Sequence, residues 1–353
     1  MTAEPGAVEA SLQAQAASAE HIGSPLYASL LSELLADHRA GGITADLLDG
    51  VSAQPTHDAI PLRYLATAHR LALAGDAPGL ARLYPSCGGT WRGETLGREF
   101  IEVARQHRSA FEAGVRRNVQ TNEVGRAPVL ATAFALITRR HRMALDLLEI
   151  GASAGLLSHW DRYHYDTGFT SAGDPDSPLR FDARWWNDPK PSLSGKTVVA
   201  STRCSDIDPI DITTAAGRLT MLSFVWPDQQ ERLDRLRTAL DIAARLPITV
   251  ERADAGDWLQ AQLALAPSTG VATVVFHSIV WQYLPRPTRD GVRRAIHAAA
   301  DRASEQAPVF WLRMEPAGPT FADVRLTSWP GGGEEVLAEV GYHGTGIRWL
   351  AAD

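Results

Sequence analysis

The chain predicts an α/β protein in which a mostly parallel sheet, closed by an antiparallel C-terminal hairpin, follows an all-helical N-terminal domain. Three observations carry this. From Leu26 to about Arg140, apolar residues recur at three- and four-residue spacing with no alternation of period two. After about Met143, short apolar runs alternate with helical stretches, the texture of βαβ units and a parallel sheet. Near the end, two strand-like runs flank the turn Pro330-Gly331-Gly332-Gly333, as in a hairpin.

Taken in order, residues 1–22 are rich in Ala, Gln and Glu without strong periodicity, and a flexible arm is expected. The helical domain spans 23–140. Tyr27, Leu30, Leu31, Leu34 and Leu35 form one apolar stripe, and Tyr64, Leu65, His69 and Leu71 a looser one. Asp76-Ala77-Pro78 is a helix start, with a capping side chain and a proline in the first turn. Residues 85–90 read as a loop, and 100–115 and 128–140 as two further helices. In the second domain, 141–353, strands are expected at 144–150, 197–203, 248–252, 272–276, 309–314, 324–329, 335–341 and 346–350. Helices are expected at 154–163, 229–244, 258–265 and 289–306. An Asp-, Pro- and Ser-rich stretch at about 165–195 reads as an insertion loop, whose Trp185-Trp186 suits either a substrate wall or an anchor.

Composition narrows the function classes. At 353 residues, 45% hydrophobic and 21% charged, this is an ordinary globular chain with ample core. A net charge of −7 argues against a nucleic-acid partner held by overall charge. Cys87 and Cys204 are the only cysteines, so neither a disulfide framework nor a cysteine metal site is expected. The first twenty residues lack a basic-then-apolar leader pattern, and the apolar run at 129–137 is too short to span a bilayer. A cytoplasmic protein without membrane partners is expected.

The most informative stretch is Leu147-Leu148-Glu149-Ile150-Gly151-Ala152-Ser153-Ala154-Gly155-Leu156. It reads as a buried strand, a Gly-x-x-x-Gly turn and the start of a helix, a geometry that offers backbone N–H groups to an anionic or polar ligand. Glu149 closes the strand. Asp206 and Asp208 follow the second strand, where a carboxylate can accept two ribose hydroxyls, or can simply cap a turn. Asp254, Asp257 and Trp258 follow the third, placed either to receive an adenine ring or to start a helix. His277 ends the fourth strand and precedes Ser278, Trp281 and Tyr283. Before the first strand, Gln120, Asn122, Glu123 and Arg126 form a polar segment between apolar helices. Arg126 suits a carboxylate ligand, and the whole segment equally suits a buried network.

Strand order, glycine turn and strand-end acids together resemble the Rossmann-like S-adenosylmethionine-dependent methyltransferases. The resemblance implies a Rossmann-like methyltransferase sheet with S-adenosylmethionine as cofactor and a small molecule as methyl acceptor. It implies cofactor contacts at Glu149, Gly151, Ala152, Ser153, Gly155, Asp206, Asp208, Asp254, Asp257, Trp258 and His277, and a catalytic face at His277 and Tyr283. The acceptor would meet Gln120, Asn122, Glu123, Arg126 and Trp281, with the helical domain on the substrate side and no metal. Two alternatives stand beside this. Gly151–Gly155 also spells the Gly-x-Ser-x-Gly elbow of α/β-hydrolases, with Ser153 as nucleophile, but the preceding half is helical and lacks a His-Gly-Gly segment. A non-catalytic regulator with a Rossmann-like pocket is the other.

Further phrases share one specific likeness: Tyr84-Pro85-Ser86, Val119-Gln120-Thr121-Asn122-Glu123-Val124-Gly125-Arg126, Trp160-Asp161-Arg162-Tyr163, Cys204-Ser205-Asp206, Ser223-Phe224-Val225-Trp226-Pro227-Asp228-Gln229, His277–Pro285, Leu312-Arg313-Met314-Glu315-Pro316 and Val340-Gly341-Tyr342-His343-Gly344. Together with the glycine turn they resemble the bacterial domain-of-unknown-function family 2332 over about 25–350.

Overall fold

A computed structural model describes residues 6–93, 96–246, 248–265, 267–318 and 320–352. Its helices are α1 (Ala7–Ile22), α2 (Pro25–Arg39), α3 (Ile43–Leu48), α4 (Ile60–Ala74), α5 (Pro78–Leu83), α6 (Leu96–Gln106), α7 (Arg108–Gly114), α8 (Ala127–His141), α9 (Ala215–Ser223), α10 (Gln230–Arg245), α11 (Ala255–Gln262) and α12 (Arg286–Ala300). Its strands are β1 (Ala144–Ile150), β2 (His164–Asp166), β3 (Ser171–Gly173), β4 (Arg180–Phe181), β5 (Val199–Asp206), β6 (Val250–Arg252), β7 (Val271–Ser278), β8 (Val309–Pro316), β9 (Phe321–Trp329), β10 (Gly333–Gly341) and β11 (Arg348–Trp349). The chain divides into two units, one of residues 1–121 and 210–237, the other of 122–209 and 238–353.

The first unit is helical. The expected arm is a helix: α1 buries Val8, Leu12 and Ala19 in the same core as Tyr27, Leu30, Leu34 and Tyr64. Only Val8 and Leu12 on that face are large apolar residues, too few to show a periodic stripe in the sequence. Residues 1–5 lie outside the described part. The single helix expected at 100–115 is two, α6 and α7, parted at His107. The chain returns to this unit for α9, whose start is capped by Thr214 through the Gly217 N–H; no helix was expected there.

The second unit holds the sheet. In space the strands run β11-β10-β9-β8-β7-β1-β5-β6. Five of them, β6, β5, β1, β7 and β8, are parallel. Taken in chain order, these five lie third, second, first, fourth, fifth, so the path reverses beside β1, where β5 lies on one side and β7 on the other. Such a reversal opens a crevice at the carboxyl ends of the strands. Then β9, β10 and β11 add one after another, each antiparallel to its neighbour. β1 is a near-continuous apolar run because helices and turns cover both faces of a parallel sheet.

Three expectations change here. Helix α8, assigned from sequence to the helical domain, belongs to the sheet unit: it buries every residue from Ala127 to Ile137 and sets Phe134 against Trp160 and Phe276. A helix apolar all round has no solvent face to lose. The helix expected at 154–163 is a short 3-10 helix, Leu157–Arg162. The insertion carries its own small sheet, β3-β2-β4, and Trp186 anchors it, buried with its indole N–H donating to Thr132. No helix among the described residues is long and apolar enough to cross a membrane.

Candidate functional site

At the carboxyl ends of β1 and β5 the structure brings two acids into one place. Register pairs Glu149 with Cys204, and Asp206 stands two residues on, so all three side chains share a face of the sheet. Glu149 is 2% exposed and Asp206 9%. Ser158 donates its hydroxyl to the Glu149 carboxyl at 2.5 Å. Burial pushes that carboxyl up to about 8; the Ser158 hydrogen bonds oppose the rise and the Asp206 carboxylate adds to it. The buried Cys204 thiol is held up to about 12, again by burial first and then by Glu149.

The glycine turn forms where it was expected, with Gly151 at φ 68° and Gly155 at φ 73°. Its backbone donors point inward, however, contrary to expectation. The N–H of Ala152 goes to the Ser205 carbonyl (3.0 Å), that of Ser153 to Asp206 Oδ2 (2.8 Å), that of Gly155 to the Ala152 carbonyl (2.7 Å) and that of Leu156 to Asn122 Oδ1 (2.7 Å). A Cβ on Gly151 would stand 2.2 Å from Val280 Cγ2, so the space above this glycine is filled by the chain itself. Asp206 Oδ1 accepts the Asp208 N–H at 2.8 Å, and Asp208 pairs with Arg252 at 2.7 Å. Between them Ile207 is 60% exposed, an apolar surface beside the strand-end acids that sequence reading passed over.

At the end of β6 the structure favours the helix-start alternative. Asp254 caps α11, accepting the N–H groups of Gly256 (2.8 Å) and Asp257 (3.3 Å) as well as the Thr288 hydroxyl. Asp257 is exposed in the first turn. Trp258 is buried with Leu148, Ile150, Val275 and Ile296, so it packs the core and has no face for an adenine ring. Asp254→Ala should therefore cost about 1 kcal/mol of stability through the lost cap, read as a lower urea midpoint. An unchanged midpoint with weakened ligand binding would return Asp254 to the site.

At the end of β7, His277 is fully buried rather than facing a crevice. Its Nε2 accepts the Trp311 indole N–H at 3.1 Å, which leaves Nδ1 as the donor to Glu315 Oε1 at 2.6 Å. With both nitrogens engaged, the expected role at the transferred methyl is not supported by its placement. Trp281 stacks on the His277 ring, with centroids 5.5 Å apart, and Arg293 lies over Trp281. Glu315 Oε1 also accepts the N–H groups of Val280 (3.0 Å) and Trp281 (3.2 Å). His277 and Glu315 thus hold a strained loop in which Ile279, a β-branched residue, sits at φ 52°. Tyr283, 41% exposed, is the member of the expected catalytic pair that reaches solvent. Glu315 lay within one of the family-like phrases, but no local pattern tied it to a histidine on another strand.

The segment at 120–126 separates. Gln120 is buried in the helical unit; Asn122, Glu123 and Arg126 belong to the sheet unit. Asn122 binds the glycine turn, as above. Glu123 accepts the Gly125 N–H (3.0 Å) and pairs with His343 (3.3 Å). Arg126 donates to the carbonyls of Tyr342 and Ser278, both at 3.0 Å. The buried-network alternative describes these contacts: Arg126 ties the approach to α8 to the end of β7. A cleft in the helical unit, bordered by Glu33, Asp37, Glu99 and Arg98, contains none of the expected site residues. Among the described residues, no group of three or more His, Cys, Asp or Glu side chains is arranged to hold a metal.

A family model described as an uncharacterised protein conserved in bacteria (DUF2332) matches residues 9–349. No curated protein and no solved structure matches the chain.

Proposed function

The chain belongs to this uncharacterised bacterial family, and from its site we propose S-adenosylmethionine-dependent methyl transfer to a small-molecule acceptor on a methyltransferase-type Rossmann fold. One observation carries the reading. Glu149 and Asp206 stand buried at the carboxyl ends of adjacent parallel strands, beside a glycine turn and next to the point where the sheet's path reverses. The residues present fit the cofactor's chemistry: buried carboxylates suit an ammonium, a sulfonium and ribose hydroxyls, and exposed Ile207 suits the face of an adenine ring. When bound, the cofactor would supply an activated methyl on sulfur.

The chain's own part is to bind and orient. Glu149 and Asp206 supply acceptors, and Glu315 fixes the 279–283 loop that carries Tyr283. Rate enhancement then comes from holding acceptor and methyl in line. The net charge of −7 supports a small acceptor over a nucleic acid, and we assign the protein to the cytoplasm. The hydrolase alternative retains one feature, Ser153 at φ 54° on the tip of the turn, but of the histidines downstream of it, His277, His297 and His343, the first has both nitrogens occupied.

Calorimetry with S-adenosylmethionine and its demethylated product tests the reading. Saturable one-site binding of both is expected, and Ser153→Ala should retain it. No heat at millimolar ligand, or labelling of Ser153 by a fluorophosphonate, would overturn it.

A further inference from the structure

Two of the family-like phrases, Tyr84-Pro85-Ser86 and Ser223–Gln229, meet inside the helical unit, apart from the site described above. Between them lies His69 of α4, fully buried. The Ser223 carbonyl, at the end of α9, is 3.1 Å from His69 Nδ1. A carbonyl can only accept, so the ring proton sits on Nδ1 and Nε2 is left as an acceptor. That acceptor takes the Ser86 hydroxyl at 2.8 Å. Nucleophile, base and orienting group thus stand each within hydrogen-bond reach of the next, the arrangement that activates a serine.

Three features distinguish this from a histidine that merely satisfies its nitrogens. The turn Pro85–Cys87 reaches the surface: Ser86 is 8% exposed, Cys87 is half-buried, and a Cβ on Gly88 would meet no atom within 4 Å. Arg237, with 39% of its side chain exposed, donates to the Ser86 carbonyl at 3.3 Å. A guanidinium beside the serine can meet the negative charge that develops on an attacked carbonyl. Next to the same turn, the fully buried hydroxyls of Tyr27 and Tyr84 have no hydrogen-bond partner outside their own pair, which leaves polar groups for a bound molecule to answer.

We propose that Ser86 is a nucleophile with His69 as its base, and that the helical unit cleaves small carboxylic esters through an acyl-serine. The Ser86 oxygen attacks the ester carbonyl carbon, and its proton passes to His69 Nε2. The tetrahedral intermediate collapses, the bond to the alcohol oxygen breaks, and the alcohol leaves with the proton from His69. Water, giving a proton to the same nitrogen, then attacks the acyl-serine and releases the acid and free Ser86, so that ester and water become acid and alcohol. The narrow opening favours a short acyl group. The Cys87 thiol, 3.7 Å from Ser86 Oγ, is no rival, because burial holds it above the usual thiol range and so protonated. The base must be neutral to act. The groups facing His69 are the Ser223 and Val225 carbonyls, Ser86, the edge of Tyr84 and the Arg237 cation. Burial pushes the imidazole down to about 4; the two carbonyls oppose the shift and Arg237 adds to it.

A small fluorophosphonate and p-nitrophenyl acetate test this on the full chain. Expected are one phosphonyl group per chain, mapped to Ser86 by peptide mass spectrometry, and an initial burst of p-nitrophenol. Both should vanish in Ser86→Ala, whose circular dichroism should match wild type. His69→Gln should slow labelling about a hundredfold or more. In the wild-type chain, which needs no variant to fold, the labelling rate should rise with pH through about 4 and stay level above it, where an ordinary histidine would inflect near 6.5. No adduct on Ser86 of the folded wild-type chain overturns the proposal, and an inflection near 6.5 removes His69 as the base. Either result leaves the methyltransferase reading where it stood, because an adduct on Ser153 lies on a different peptide from one on Ser86.

Discussion

Gly151→Val should destabilise the chain by about 2–5 kcal/mol, the sum of a side chain forced into left-handed backbone and overpacking of a filled site. The φ of 68° admits a branched residue poorly, and its Cβ would meet Val280 Cγ2 at 2.2 Å. Were the turn open to a ligand, as the sequence suggests, a valine would fold normally and merely fill the ligand's space. The two are separated by urea unfolding of Gly151→Val and of Gly151→Ala with and without Val280→Ala. Truncating Val280 should recover the overpacking part of the loss and leave the backbone part. A Gly151→Val protein of wild-type stability that fails only to bind ligand would show that the space belongs to the ligand.

His277→Ala should cost about 2–4 kcal/mol, because it opens a cavity in a closed core and leaves the buried Trp311 indole N–H without its acceptor. The Trp311 N–H and Glu315 Oε1 would both lose their ring nitrogen. Loosened, Glu315 would hold the N–H groups of Val280 and Trp281 less firmly, so the loop over the glycine turn should exchange its amide hydrogens faster. In the intact chain, nitrogen NMR should find the His277 proton on Nδ1. A His277→Ala chain of undiminished stability with abolished turnover would restore the histidine to the chemistry and remove it from the scaffold.

Both cases turn on contacts that span the chain. The strands were legible because their cause is local: β1 was read at 144–150, its observed span, from a mostly apolar run, and the fourth and fifth parallel strands were found within a few residues of their observed ends. The cap at Asp254 was legible as one of two options, since an acid before a helix is a short-range signal. The arm that proved to be α1 was missed because two large apolar residues, Val8 and Leu12, are too few to mark a stripe. α8 went to the wrong unit because its periodicity tells that it is a helix and nothing about which apolar surface receives it.

By itself, then, the sequence determined the α/β class, the run of parallel strands, the glycine turn with Glu149 beside it, and membership of the family. These depend on residue type and on neighbours a few positions away. Tertiary structure alone decided what the candidate residues touch. It joined Asp206 to Ser153 across 53 positions, Glu315 to His277 across 38 and Asn122 to Leu156 across 34. A buried donor or acceptor takes whichever partner the folded sheet brings within about 3 Å, and strand order, which no local pattern encodes, makes that choice.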